Sequence, residues 1–353
     1  MSALQRSLSP MLVPGLALLT AAFAQKTTGS LLTALAKHIP RPSGLHHFFL
    51  GNNGKIRTAL GIVVALSLIR WANRFLNDMA RNSWRASPPS DWICSKEIAV
   101  VTGGSGGIGR TVVEKLINKG LRVAVLDLKD PPEAFKEQAR ILFCKCNVTK
   151  PNEVAAVAEE IRTSIGHPTI LINNAGICRP CRILDASAEK LYEIFSVNSL
   201  AHWLTVQQFL PDMIKNNKGH ILTVASAASF LALPRCSDYS GSKSAARAFH
   251  DVLGSELKHF YHAPNVITTA VHTQFVRTPI IQDIQKRLDE EGQNILEADF
   301  VGEKIVERLV SKRGGVLILP ESRSFLSGVA AWPAWMQEIV RDKYGRASAK
   351  RNE

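Results

Sequence analysis

The first 77 residues contain neither aspartate nor glutamate; the first acid of the chain is Asp78. Residues 1–90 hold ten Lys/Arg against that one acid, and residues 341–353 hold five bases against two acids. Of the net charge of +13, only about +1 is left for residues 91–340. A nucleic-acid groove needs its basic charge on the folded domain, so this distribution argues against nucleic acid and for an anionic membrane surface as partner. Cysteine is sparse as well. Six (Cys94, Cys144, Cys146, Cys178, Cys181, Cys236) in 353 residues exclude a disulfide scaffold. Cys178-Arg179-Pro180-Cys181 has the redox C-x-x-C spacing, yet it opens no helix after a thioredoxin-like strand and has no second Cys/His pair near it in sequence. It reads as an ordinary loop, and no metal site is expected.

Apolar runs of comfortable membrane-spanning length are also missing. Residues 11–24 form a 14-residue apolar run broken by Pro14, and residues 58–69 form another of 12. At the helical rise these cover about 21 and 18 Å of a ~30 Å hydrocarbon core. Extending the second run to Leu76 gives about 27 Å, with Arg70 and Arg74 snorkelling to the interface beside Trp71. This predicts a membrane anchor within residues 1–90, joined by the linker Ser87-Pro88-Pro89-Ser90 to the rest. The alternatives are a hairpin or surface-lying helix, or a cleaved targeting peptide, since Ala22-Phe23-Ala24 after the first run imitates a signal-peptide end and the acid-free start a mitochondrial one. Arg70, Arg74, Arg81 and Arg85 follow the second run, which puts the folded domain on the cytosolic side; the membrane expected is the endoplasmic reticulum, with a mitochondrial location as the alternative.

From Glu97 onward, strand and helix patterns alternate. Strands are expected at 98–101, 123–127, 141–146, 170–173, 220–225, 266–271 and 315–319, with helices over 154–165, 189–216, 238–259 and 299–311 among those between them. Such alternation predicts an α/β fold, a doubly wound, seven-stranded parallel sheet covered on both faces. It forms one domain over residues 91–325, followed by a basic tail (326–353) in which Trp332-Pro333-Ala334-Trp335-Met336 opens an interfacial or surface helix.

The first strand runs directly into Thr102-Gly103-Gly104-Ser105-Gly106-Gly107-Ile108-Gly109 and then an amphipathic helix. Glycines at that junction let a pyrophosphate reach backbone N–H groups at a helix N-terminus, with no Cβ in the way. Asp127 ends the second strand, where a carboxylate accepts hydrogen bonds from an adenosine ribose and repels a 2′-phosphate. That favours NAD; Lys129 close by leaves NADP as the alternative. Tyr239-x-x-x-Lys243 places a phenol and an ammonium one helical turn apart. The cation is expected to lower the phenol's pKa from ~10 and make it usable in proton transfer. Ser226 ends the fifth strand at the sheet edge where ligands of such folds bind, and can hydrogen-bond a substrate oxygen.

With Asn173-Asn174-Ala175-Gly176 and Asn198, these motifs resemble the short-chain dehydrogenase/reductase family over about residues 95–325. The resemblance implies a Rossmann fold and hydride transfer between a nicotinamide and an alcohol or carbonyl. It makes Tyr239 the general acid/base, has Lys243 hold the nicotinamide ribose, and has Ser226 orient the reacting oxygen. Asn198 would kink its helix and hold a relay water. Thr102, Gly103, Ser105, Gly107, Ile108, Gly109, Asp127, Asn147, Asn174, Tyr239, Lys243 and Thr278 would contact or support the cofactor, Asn147 at the adenine and Thr278 at the carboxamide. Two departures stand out: Asn147 where the family usually has Asp, and His272-Thr273 where it has Pro-Gly. An N-terminal anchor ahead of such a domain resembles the membrane-bound branch acting on retinoids, hydroxysteroids and other lipophilic alcohols. The expected partners are therefore a lipophilic small molecule and membrane lipid, with a homodimer left open. The alternatives are an NADPH-dependent carbonyl reductase and a non-catalytic, membrane-bound nucleotide-binding protein. Residues 279–298 are expected to form the substrate lid.

Overall fold

A computed structural model describes residues 53–85 and 92–349. The chain divides into two units, Met1–Ala80 and Arg81–Glu353. The run at residues 11–24 lies outside the described residues. The run beginning at Thr58 lies in helix α1 (Asn53–Arg81), 29 residues long. The span expected of that run is not supported: among the described residues no helix is long and apolar enough to cross a membrane. Arg70, Arg74 and Asn73 interrupt the apolar sequence too closely for its length.

In the second unit the order of elements is β1 (Ile98–Thr102), α2 (Gly107–Asn118), β2 (Arg122–Asp127), α3 (Glu133–Lys136), β3 (Ile141–Lys145), α4 (Pro151–Ser164) and β4 (Ile170–Asn173). The chain continues through α5 (Ala188–Phe195), α6 (Ala201–Lys215), β5 (Gly219–Val224), α7 (Ser237–His259), β6 (Val266–Thr273), β7 (Val276–Arg277), α8 (Gln282–Glu290), β8 (Leu296–Glu297), α9 (Ala298–Val310), β9 (Gly315–Leu319) and α10 (Ala334–Ala349). The principal sheet has seven strands in the order β3-β2-β1-β4-β5-β6-β9. Every neighbouring pair in it is parallel. Strand order reverses between β1 and β4, so their carboxyl ends border the crevice where ligands of doubly wound sheets bind.

All residues of β1, β4 and β5 are buried, because helices cover both faces of the sheet. On one face Val101, Val112, Leu116 and Ile305 join a single apolar core with α2 and α9. On the other, Val100, Leu171, Ile161, Phe209 and Leu253 make a second core with α4, α6 and α7. Helices α2 and α9 approach so closely that a Cβ on Gly302 would lie 2.2 Å from Thr111 Oγ1. The Thr111 hydroxyl also donates to Ala298 O at 3.1 Å.

Two features differ from the sequence expectation. The helix expected over 189–216 is interrupted: α5 and α6 are joined by a π-helical turn, Ser196–Leu200. Beyond β6 the chain makes a two-stranded ribbon, β7 with β8, around α8 in the region expected to form a lid.

Candidate active site

The glycine turn is built by close approach. Gly103 has φ +66°, and a Cβ on it would come within 2.9 Å of Ala175 Cα; a Cβ on Gly109 would lie 2.1 Å from Gly103 O. The end of β4 is fastened to the same turn. Asn174 Nδ2 donates to the carbonyls of Thr102 (2.9 Å) and Gly103 (3.1 Å). Thr102 Oγ1 accepts from the N–H groups of Asn174 and Ala175, each at 3.0 Å. Thus Thr102, Gly103, Gly109 and Asn174 hold the frame of the turn. Gly106, the residue before α2, has no side-chain cap, and nothing lies within 4 Å of where its Cβ would be. Open space at an uncapped helix N-terminus fits a dinucleotide pyrophosphate.

Asp127 is held over this turn: its carboxylate accepts from Ser105 N (2.9 Å) and Lys129 N (3.0 Å). Ser105 Oγ donates to Lys129 O at 3.2 Å. The side chain of Ile108 packs against the adjoining core. Thr278 lies across the turn, its Cγ2 3.2 Å from the Cβ position of Gly107. Its hydroxyl donates to Val276 O at 3.2 Å. Asn147 is used locally: its Oδ1 accepts from Thr149 N (3.0 Å) and Thr149 Oγ1 (2.8 Å), a turn that leads into α4.

The proton-handling residues converge at the carboxyl ends of β4 and β5 and the first turn of α7. Tyr239 is half-buried and its phenol lies beside Ser226. Ser226 Oγ accepts from Ala228 N at 3.1 Å. Lys243 Nζ donates to Val224 O at 2.8 Å and sits 6.0 Å from the centre of the Tyr239 ring. Asn198 lies within the π-helical turn and faces this site. Its Oδ1 accepts from Ile177 N (2.8 Å), while its Nδ2 donates to Ile177 O (2.9 Å) and Ser242 Oγ (3.0 Å). A π turn adds one residue to the helix and so re-aims a side chain that a regular helix would direct elsewhere.

Burial governs the electrostatics. It pushes the Tyr239 phenol above its ordinary value, the neighbouring Ser226 hydroxyl opposing the shift. Burial also brings the Lys243 ammonium down to about 8. The expected lowering of Tyr239 by Lys243 does not dominate: the ammonium, 6.0 Å from the ring centre, is engaged by the Val224 carbonyl, and burial acts the other way on the phenol. Sequence reasoning also missed two supports. Ser242 braces Asn198, and His272 Nδ1 lies 3.1 Å from Ser226 O and 2.9 Å from Ser229 Oγ. Serine inside the Tyr-x-x-x-Lys spacing carries no distinctive signal, and His272 was visible only as a departure from Pro-Gly.

A family profile described as short chain dehydrogenase matches residues 97–289. Dehydrogenase RED2 of Cochliobolus heterostrophus is 36% identical over 214 residues, covering 61% of this chain and 80% of that protein. Human estradiol 17-beta-dehydrogenase 11 is 30% identical over 237 residues, covering 65% of this chain and 77% of that protein. The crystal structure of a short chain dehydrogenase/reductase from Burkholderia phymatum in complex with NAD has a TM-score of 0.58 at 22% identity, over 65% of this chain and 91% of that one. The chain belongs to the short-chain dehydrogenase family, whose members are NAD(P)-dependent oxidoreductases acting on CH–OH groups.

Proposed function

We propose that the protein is an NAD-preferring dehydrogenase that interconverts an alcohol and a carbonyl on a lipophilic substrate at a membrane surface, with Tyr239 as general acid/base. The observation that carries this reading is the convergence of Tyr239, Ser226 and Lys243 at the carboxyl ends of β4 and β5, with Lys243 Nζ 6.0 Å from the centre of the Tyr239 ring and bonded to Val224 O. A bound nicotinamide supplies or accepts the hydride; the chain's own residues orient the substrate oxygen and move its proton. Ser226 and Tyr239 present two hydroxyls to that oxygen. Tyr239 gives up its proton as a carbonyl is reduced and takes one as an alcohol is oxidised. Asn198 and Ser242 fix the loop after β4 against α7, which keeps the proton-handling groups in register. Asp127 supports the NAD preference, as its carboxylate stands at the end of β2 where the adenosine ribose of such folds lies.

A second reading has one observation in its favour. Burial keeps the Tyr239 phenol in its protonated form, the form from which a carbonyl oxygen takes its proton, although the raised pKa makes it a weaker acid. Membrane association is supported by α1, on which Ile62, Leu66, Ile69 and Leu76 recur at helical spacing and are exposed. Arg70, Arg74 and Arg81 follow one another along the flank of that stripe. Such a helix suits lying in the interface plane better than crossing it, and we place the catalytic unit on the cytosolic side of the endoplasmic reticulum.

The test is turnover by the full chain with NAD or NADP across hydroxysteroids, retinoids and long-chain alcohols, followed as reduced nicotinamide. Expected is oxidation of at least one lipophilic alcohol, with kcat/KM for NAD at least ~10-fold above that for NADP. Nucleotide binding without turnover in either direction would instead favour the non-catalytic reading. Alkaline carbonate extraction should leave the full chain in the membrane pellet; a start near Asp91 should release it.

A further inference from the structure

A basic cleft lies at the amino ends of β6 and β9, the edge of the sheet opposite the catalytic groups. Here the chain leaves α1, whose last residue is Arg81, and turns sharply. Ser83 (φ 54°) and Trp84 (φ 59°) both adopt the left-handed conformation, which persists in such residues only where surrounding contacts hold it. Asn82 supplies those contacts on one side: its Oδ1 accepts from Gly314 N at 2.8 Å and its Nδ2 donates to Gly314 O at 3.5 Å. Arg85 supplies them on the other, its guanidinium donating to Pro264 O and, at 3.4 Å, to Asn82 O. Together with the last turns of α7 and the first residues of β6 and β9, this turn encloses a cleft of about 290 Å³.

Arg81, Arg85, Lys258 and His259 line the cleft, and the one acid among its lining residues, Asp251, is paired with Arg247 at 3.8 Å. The stem of Arg81 packs on Gly315, where a Cβ would lie 3.3 Å from Arg81 Cδ. Arg85 is half-buried, and its hydrogen bonds among the described residues go to the two neutral carbonyls. A partly desolvated guanidinium without a carboxylate gains from an anion. Large aromatic side chains surround the cleft and stand in solvent: Trp84 is 63% exposed and Phe260 77%. Phe260 and Tyr261 follow directly on the cleft residues Lys258 and His259. Exposed aromatics beside clustered cations are the pattern of a surface that meets the boundary between headgroups and acyl chains.

We propose that this cleft holds the phosphate of an anionic phospholipid headgroup, with Trp84 and Phe260 entering the acyl boundary around it. The proposal rests on the membrane association read above from α1 and adds a specific lipid contact made by the catalytic unit itself. Arg81 and Arg85 offer planar guanidinium forks that match phosphate oxygens, and Lys258 adds a point charge. A soluble phosphate would use the same cations but would leave Trp84 and Phe260 in water, so the lipid is the better occupant. The place of the cleft, at the amino ends of the strands, keeps it apart from nucleotide and substrate.

The experiment sediments the full chain with vesicles of phosphatidylcholine alone, with about 20 mol% phosphatidic acid added, or with oleate added to the same surface charge. Expected is an affinity for the phosphatidic acid vesicles at least ~10-fold above phosphatidylcholine and at least ~3-fold above oleate. The full-length double variant Arg81→Gln, Arg85→Gln should lose that preference while binding phosphatidylcholine within about twofold of wild type. Lys258→Gln, which leaves the turn's own contacts in place, should lower the preference by ~3-fold. Trp84→Ser with Phe260→Ser should weaken binding to every vesicle and keep the preference. Equal binding to all three vesicles, or a preference that survives loss of both arginines, would overturn the proposal while leaving membrane association standing. Sedimentation with none of them would overturn both. Inorganic phosphate bound without vesicles as tightly as the phosphatidic acid vesicles would make this a soluble-anion site and overturn the lipid assignment. No readout needs turnover, so failure here is distinct from failure of the proposed activity.

Discussion

Asp127 receives two backbone N–H groups, from Ser105 at 2.9 Å and Lys129 at 3.0 Å. The carboxylate is thus fixed before any ligand arrives, and its remaining lone pairs are the acceptors available to a ribose. Asp127→Arg removes the acceptor and supplies a cation suited to a 2′-phosphate. The ratio of kcat/KM for NAD over NADP should fall by ~100-fold or more, about 2.7 kcal/mol of discrimination. A wild type that already prefers NADP would contradict the placement of this residue. His272 stands where the family has proline. A carbonyl only accepts, so the ring nitrogen 3.1 Å from Ser226 O must be Nδ1–H, and the Ser229 hydroxyl accepts from it while donating to Ser226 O at 2.6 Å. His272 is a positioning residue for Ser226. His272→Phe should lower kcat by ~10-fold while leaving nucleotide Kd within about twofold, a split that general misfolding would not produce. Loss of both together would assign His272 to packing alone.

At the scale of elements, the β1–turn–α2 unit depends on main-chain contact that only glycine permits. In Gly109→Ala the new Cβ would meet a backbone carbonyl at 2.1 Å, so the turn must deform. Nucleotide affinity should drop by at least ~10-fold, read by calorimetry, with the circular dichroism of the sheet and helices retained. Unchanged affinity would show that the turn does not carry the pyrophosphate. This unit was legible in sequence because its apolar strand, glycines and helix are contiguous, and the parallel sheet followed from the alternation of patterns. The π turn at Ser196–Leu200 did not register in the apolar periodicity; only the resemblance, which has Asn198 kink its helix, pointed to an irregularity there. Strands β7 and β8 hold two residues each, too few for periodicity to register. The basic cleft was hidden for another reason: Asn82 reaches Gly314, and Arg85 reaches Pro264, only through tertiary contact. Likewise, the spacing of Tyr239 and Lys243 revealed their shared helix but not the carbonyl that claims the ammonium.

For the molecule at large, the four histidines buried among the described residues shape the response to acid. His202 and His220 are brought down to about 3, and His250 and His272 to about 4, burial being the largest cause in each. In the unfolded chain each takes a proton near its ordinary 6.5. Between about pH 6.5 and pH 4 the unfolded state therefore binds more protons, and stability falls as pH falls through that window. By pH 5 each histidine alone accounts for ~2 kcal/mol, so the urea midpoint should drop steeply between pH 7 and pH 5. A flat profile would contradict their burial as neutral rings. The account as a whole rests on one group, the Tyr239 hydroxyl beside Ser226 at the head of α7. Its most direct test is single-turnover hydride transfer by full-length Tyr239→Phe beside wild type, with nucleotide Kd measured on the same samples. The account predicts that the rate falls by ~10²–10⁴ while Kd stays within about threefold. Hydride transfer at the wild-type rate in Tyr239→Phe would contradict it.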